Sequence, residues 1–192
     1  NLNRLTKVIG GTNPLTQVTQ YGYDNQGNVT TVDGPLAGTV DQTTNTYDEL
    51  NRLYRITSPV TIGGTPTNAV TEFTLDGIDQ VTKVKDPRLL ETNYTVSGLG
   101  ERTLLASPDT GNTNSAYDAA GNVLTQTDAK GQLTSYTHDA LNRLTSITYQ
   151  GGMVHTYQYD QGTNGKGRLT KIIEGNSTTD LVYDLKGRLT SE

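Results

Sequence analysis

One phrase keeps returning along this chain: Tyr-Asp, two residues, Gly or Asn, then Arg or Asn, Leu or Val, and Thr. It reads plainly at 23–30 (YDNQGNVT), 117–123 (YDAAGNV), 138–145 (HDALNRLT) and 183–190 (YDLKGRLT). A phrase repeated at a fixed period restricts a chain to a stacked architecture, because a short unit cannot bury an apolar face alone and must lean on its neighbours. With the Asp as marker, the units fall at Asp24, Asp48, Asp76, Asp118, Asp139, Asp160 and Asp184, and Ser97 holds the same slot in a degenerate unit. The steps from Asp76 through Ser97, Asp118 and Asp139 to Asp160 are each 21 residues, and the others are 24, 28 and 24. The excess lies in Gly, Pro, Asn and Thr stretches such as 63–68 and 162–167, so the insertions are expected in loops, where added length costs little.

Ahead of each Asp the pattern alternates with period two: Tyr21 and Tyr23, Phe73 and Leu75, Tyr94 and Val96, Tyr136 and His138, Tyr157 and Tyr159, Leu181 and Tyr183. Period two marks a strand with one apolar face. After the Asp, a four-residue segment ending in Gly or Asn suits a type I turn whose last residue enters the left-handed region, joining two antiparallel strands. Asp at the first turn position can accept backbone N–H bonds, and Gly or Asn tolerates the positive φ. In the second strand the apolar residues recur three apart, as in Leu53 and Ile56, Leu144 and Ile147, Leu169 and Ile172. These stretches are short, rich in Thr and bounded by Gly or Pro, so they predict a strand that is bulged or apolar on both faces. Closing turns are expected at Asp33-Gly34-Pro35, Ser58-Pro59, Asp86-Pro87, Ser107-Pro108 and Gly151-Gly152, with helix nearly absent.

The fold class predicted is all-β: an array of antiparallel hairpins, about 21 residues each, in one continuous element over 1–192. About eight units are present. Residues 1–6 carry Asn-Arg-Leu-Thr without the Tyr-Asp, and Glu192 follows a unit barely begun, so both ends are expected to fall mid-repeat within a longer protein. Leu, Ile, Val and Phe make up about a fifth of the chain, Trp is absent, and one Phe stands beside eleven Tyr. Such a chain can hold a sheet together but is poor material for a thick, dry, two-layer core.

A net charge of -5, with the Arg scattered one per unit, argues against a nucleic-acid partner, which needs clustered cations. No run of about twenty apolar residues is present to span a membrane as a helix. Two His, no Cys and no Gly-x-Ser-x-Gly or His-Glu-x-x-His pattern leave no nucleophile-and-base set, so no catalysis and no cofactor are expected. His138 stands in the slot that is Tyr elsewhere and is read as its structural substitute, and His155, two before Tyr157, as packing. A Ca²⁺ ladder on the repeated Asp is disfavoured, since each Asp already has a turn to stabilise. Arg4, Arg52, Arg143, Arg168 and Arg188 are read as solvated strand residues paired across the sheet with Asp or Glu. The repeat-defining positions are therefore Tyr23, Asp24 and Gly27; Asp48, Asn51 and Arg52; Asp118 and Gly121; Asp139, Asn142 and Arg143; Tyr159, Asp160, Gly167 and Arg168; and Tyr183, Asp184, Gly187 and Arg188.

The Tyr-Asp phrase, the Arg-Leu-Thr that follows and the 21-residue period resemble the Rhs or YD-repeat proteins, and the resemblance covers essentially the whole chain. That family includes bacterial polymorphic toxins, cocoon components of insecticidal Tc toxins, wall-associated proteins and teneurins. The resemblance implies a curved or spiralling strip of sheet forming part of a hollow β-shell that encloses a C-terminal toxin or cargo. It implies a secreted or cell-surface location, and as partners the rest of a longer chain and secretion-system components. The alternative it leaves open is a surface or wall-associated module that binds carbohydrate or a protein. Two units depart from the pattern: 97–102 (SGLGER) lacks the Asp, and 76–81 (DGIDQV) lacks Gly and Arg, which puts their turn geometry in doubt. Asp86-Pro87-Arg88-Leu89 is similar to the family's self-cleavage motif, but Leu89 stands where Gly is required and the segment lies mid-array, so it is read as coincidence.

Overall fold

A computed structural model describes residues 3–11 and 17–191. The unit fragment at 1–6 and the final Glu192 therefore lie partly outside the described residues. The described chain contains no helix and eighteen strands. Its contacts divide it into two compact units, Asn1–Tyr94 and Thr95–Glu192. In the first are β1 (Lys7–Gly10), β2 (Gln17–Tyr23), β3 (Val29–Asp33), β4 (Thr43–Tyr47), β5 (Leu53–Ile62), β6 (Thr65–Leu75), β7 (Val81–Lys85) and most of β8 (Glu91–Val96). In the second are β9 (Arg102–Ser107), β10 (Gly111–Tyr117), β11 (Val123–Thr127), β12 (Leu133–His138), β13 (Leu144–Tyr149), β14 (Val154–Tyr159), β15 (Leu169–Glu174), β16 (Ser177–Asp180), β17 (Val182–Tyr183) and β18 (Leu189–Ser191). Within the first unit β1 to β8 pair in chain order and within the second β9 to β16 do the same, every ladder antiparallel, while β17 and β18 form a separate two-stranded ribbon. A hairpin meander of this kind needs only local pairing between consecutive segments.

The three-residue apolar spacing of the second strands has a definite cause. Thr137 faces Ser146 and His138 faces Leu144, so Thr145 is an extra residue on β13. The same shift leaves Thr30, Tyr54, Thr82, Leu124, Thr170 and Thr190 unpaired at the corresponding position. One inserted residue turns a spacing of two into three, so Leu144 and Ile147 come to lie on one face of a bulged strand. Where the bulge residue is Thr, its hydroxyl is used locally: Thr82, Thr170 and Thr190 donate to the carbonyls of Thr74, Gln158 and Val182 at 3.1–3.2 Å.

Two expected loops are strand instead. Ser58 and Pro59 do not close a turn; they lie within β5, facing Ala69 and Asn68 on β6. The stretch 63–68 contributes a two-residue turn at Gly63 and Gly64, both with positive φ, and the remainder continues the ladder as β6. The long insertion lengthens one hairpin. Pro59 is tolerated because β5 pairs with β4 only as far as Thr57, and a missing N–H is harmless beyond that point. The 162–167 insertion, by contrast, is a loop.

Among the described residues no large hydrophobic side chain is buried, and Thr170 is the only buried polar one, at 5% exposure. A sheet without a second layer leaves both faces partly open, which suits the lean apolar content.

Candidate functional site

In each unit the repeated phrase builds a column of turns along one rim of the sheet. In the turn at Asp139 the backbone N–H of Asp139 donates to Arg143 O and that of Asn142 to Asp139 O, both at 2.9 Å. The Asp139 Oδ1 accepts the N–H groups of Leu141 and Arg143 at 2.9 and 3.0 Å, and Asn142 holds φ at 59°. This is a type I turn closed by a left-handed residue. Asp48, Asp118 and Asp184 accept the same pair of donors, and Asn51, Gly121 and Gly187 occupy the left-handed place. Asp24 accepts from Gly27 and Asn28 at 2.7 and 2.8 Å. In the wider turn at Asp160 the acceptor is kept, taking the Gly167 N–H at 2.6 Å.

The fourth residue after the Asp does more than the strand pairing expected of it. Arg52, Arg143 and Arg188 stand just before their strands, and each sends Nε back to Oδ2 of its own turn Asp at 2.7–2.8 Å. The far end of the guanidinium reaches the next turn. Arg143 Nη2 lies 2.7 Å from Asp160 Oδ2, and Arg52 Nη1 donates to Asp76 O at 2.6 Å and to Asp79 Oδ1 at 3.0 Å. Arg4 likewise donates to Asp24 O. Where the slot holds Asn the same job is done by an amide: Asn28 bonds Asp24 and Asn51, and Asn122 bonds Asp118 and Asn142. The side chains of Arg52 and Arg143 are only 20% and 23% exposed, so these are partly shielded staples and not solvated surface charges.

The Tyr before the Asp completes the joint. Its hydroxyl donates to the carbonyl at the start of the preceding hairpin's second strand: Tyr23 to Leu5, Tyr47 to Val29, Tyr117 to Arg102, Tyr159 to Leu144 and Tyr183 to Leu169, at 2.6–3.0 Å. The preceding Arg lies over the same ring, with Arg143 at 4.3 Å from the Tyr159 centroid, and Arg4 and Arg168 at 5.4 and 5.5 Å from Tyr23 and Tyr183. Gly27 and Gly187 also make room for this arrangement. A Cβ at Gly27 would stand 3.0 Å from the Arg4 guanidinium, and one at Gly187 would run into that of Arg168.

Electrostatics follow from the donors. The Arg143 N–H holds the Asp139 carboxyl below its ordinary range despite some desolvation, and the Arg52 N–H does the same for Asp48. Asp118 is lowered chiefly by the Asn122 amide, and Asp160 chiefly by Arg143. The Arg143 guanidinium is pushed up by its bonds to Asp160 and Asp139. The carboxylates are engaged in turns, and among the described residues no group of three or more His, Asp or Glu side chains is placed to hold a metal ion.

The degenerate turns keep the backbone. Asp79 enters the left-handed region at φ 66°, in the place of Gly, and Asp76 still accepts from Ile78 and Gln80. Ser97 Oγ replaces the carboxylate, accepting from Leu99 and Glu101 at 3.2 Å and donating to Glu101 Oε2 at 2.5 Å. The segment at Asp86 forms the same turn on the opposite rim, with Leu89 at φ 67°. His138 faces Leu144 in the Tyr slot, its Nδ1 enclosed without a hydrogen-bond partner, whereas His155 sits 3.4 Å from Glu174 and edge-on to Tyr149 at 5.1 Å. The residues that position reading passed over are the bulge Thr and the stapling Asn28 and Asn122. Their signal was the recurrence of Thr six residues, and Asn four residues, after the Asp.

The family model described as RHS Repeat matches residues 2–39 and 117–153. No curated protein is matched by sequence. By structure the chain is similar to a chain of the TcdB2-TccC3-Cdc42 crystal structure, with a TM-score of 0.72 and 14% identity over 97% of this chain and 11% of that one. It is similar to a chain of TcdB2-TccC3 at 0.70 and 14% over the same shares, and to one of the Photorhabdus luminescens Tc holotoxin pore at 0.67 and 17% over 90% and 11%. The chain thus spans about a tenth of the length of the structures it matches and shares their all-β fold.

Proposed function

We propose that this chain, a carrier of RHS repeats, builds part of the wall of a β-shell in a secreted or injected protein, and that the shell encloses a C-terminal toxin or other cargo. The supporting observation is a strand order that follows the chain within each unit, β1 to β8 and β9 to β16, with no buried large apolar side chain among the described residues. A single-layer sheet that is stapled hairpin to hairpin along its rim resists shear without needing a core, which is what a wall requires and a compact binding domain does not. The role calls for no catalysis. Its partners are further repeats of the same longer chain and the secretion machinery that carries it. Recognition of carbohydrate or a protein at a cell surface has less behind it, because the hydroxyls of Tyr23, Tyr47, Tyr117, Tyr159 and Tyr183 already donate to backbone carbonyls.

Limited proteolysis of the full-length protein tests the reading. The segment C-terminal to the repeats should survive a protease dose that degrades the same segment expressed alone. Equal rates of degradation would exclude enclosure.

A further inference from the structure

The long hairpin of the first unit leaves one edge unpaired. Strands β5 and β6 pair from Arg55 with Glu72 out to Ile62 with Thr65, whereas β4 reaches only to Thr57 and β7 ends opposite Glu72. A two-residue turn with both φ positive closes on a hydrogen-bonded pair, here Ile62 and Thr65. The ladder then alternates, so Thr67, Ala69 and Thr71 bond β5, while Asn68 and Val70 turn their N–H and C=O groups away from it. Glu72, next in that series, meets Lys85 of β7, but Asn68 and Val70 meet no strand. The outer edge of β5 is blunted: Pro59 has no N–H to offer, and Val40 shares a cleft of about 220 Å³ with Pro59 and Thr61. The outer edge of β6 from Thr67 to Thr71 carries no Pro, no Lys and no bulge.

This edge opens onto a cleft of about 230 Å³ lined by Arg55, Val70, Glu72, Lys85, Asp86 and Leu89. Leu89 is 70% exposed and holds φ at 67°, a conformation that a bulky side chain adopts only under strain, so its presence points to a use outside the fold. Asp86 is paired with Arg88 at 2.6 Å and Lys83 with Glu91 at 2.9 Å, while Arg55 and Lys85 share Glu72 at 2.7 and 3.9 Å. Two cations thus divide one carboxylate, and Lys85 is the more loosely held. We propose that the β6 edge takes an added strand from a peptide partner, an extended segment with a Glu opposite Val70. Backbone bonds to Asn68 and Val70 hold the strand, and the cleft selects the side chain. A residue opposite Val70 shares the face of Val70, Glu72 and Arg55, so the Glu methylenes lie on Val70 and Leu89 and the carboxylate meets Lys85. The inference goes beyond the wall reading and does not depend on what the wall encloses.

Fluorescence anisotropy with the full-length protein tests it, using a labelled heptapeptide of Thr and Val around a central Glu. Binding should saturate, and a peptide with central Gln should bind roughly tenfold more weakly. Lys85→Gln should remove that difference between the two peptides. Asn68→Pro should weaken both peptides by roughly tenfold, because Pro at an outward-facing edge position deletes only the N–H offered to the partner. Circular dichroism checks that each variant keeps its sheet. N-methylation of the peptide's central amides should cost as much as Asn68→Pro, and it leaves the protein untouched, so the strand requirement is tested even if that variant does not fold. Binding that is absent, or indifferent to N-methylation, would overturn the proposal. So would sedimentation as a dimer that Asn68→Pro dissolves, which assigns the edge to a second copy.

Discussion

Two turns in the second unit share a backbone and differ in chemistry. At Asp139 a carboxylate accepts two N–H groups with one oxygen and the Arg143 guanidinium with the other, and the same guanidinium reaches Asp160 in the next hairpin. At Ser97 a hydroxyl accepts the equivalent N–H groups, but the fourth residue is Glu101, whose carboxylate turns back to Ser97 and can donate nothing to the following turn. The left-handed place is filled in both, by Asn142 and by Gly100 at φ 87°. Turn formation and turn stapling are therefore separable properties of the phrase. The Tyr bond survives without the Arg, since Tyr117 still donates to Arg102 O.

The largest expected effect strikes what the two turns share. Asn142→Val and Gly100→Val each place a β-branched residue at positive φ, and each should lose about 1–2 kcal/mol in urea denaturation. If only one of them loses stability, the two backbones are not equivalent.

Acid separates the two turns. Asp24, Asp48, Asp86, Asp118, Asp139, Asp160 and Asp184 are all held below the ordinary carboxylate value, near 3.9. As pH falls through that value, the unfolded chain takes up protons that the folded turns still refuse. The contribution is fully present above about pH 4 and drains as pH drops through the depressed folded values. Melting temperature should hold from neutrality to about pH 5 and fall steeply below 4. Asp139→Ser, which copies Ser97, should be less stable at pH 7 and show a shallower acid decline than the parent; an identical decline would remove Asp139 from the effect.

The smallest change should come from installing the staple. Ser97→Asp with Glu101→Arg supplies the acceptor and the reaching donor that the degenerate turn lacks, and a modest rise in melting temperature is expected over either single substitution. Additive single effects would mean that Arg at this position does not pair with the carboxylate of its own turn.

Much of this is legible in the sequence. The turns are local: Asp139, Asn142 and Arg143 lie within five residues, and the physics of a carboxylate beside free N–H groups and of a residue that tolerates positive φ operates at that range. The bulge was legible as an apolar spacing of three, although the Thr that occupies it was not singled out. The long β5–β6 hairpin was misread because Pro59 and the Gly63-Gly64 pair look like two loop signals. Only pairing partners show that one is harmless within a strand and the other is a two-residue turn.

Local sequence thus specified the hairpins, their antiparallel sense and the absence of helix, since each depends on residues a few positions apart. The joints between hairpins were settled in three dimensions. Whether Arg143 pairs across its own sheet or staples to Asp160, and whether the Tyr159 hydroxyl meets solvent or Leu144 O, depends on atoms 15 and 17 residues away. Those atoms are brought into register by the bulge between them, and a contact that exists only after two strands have paired leaves no local signature to read.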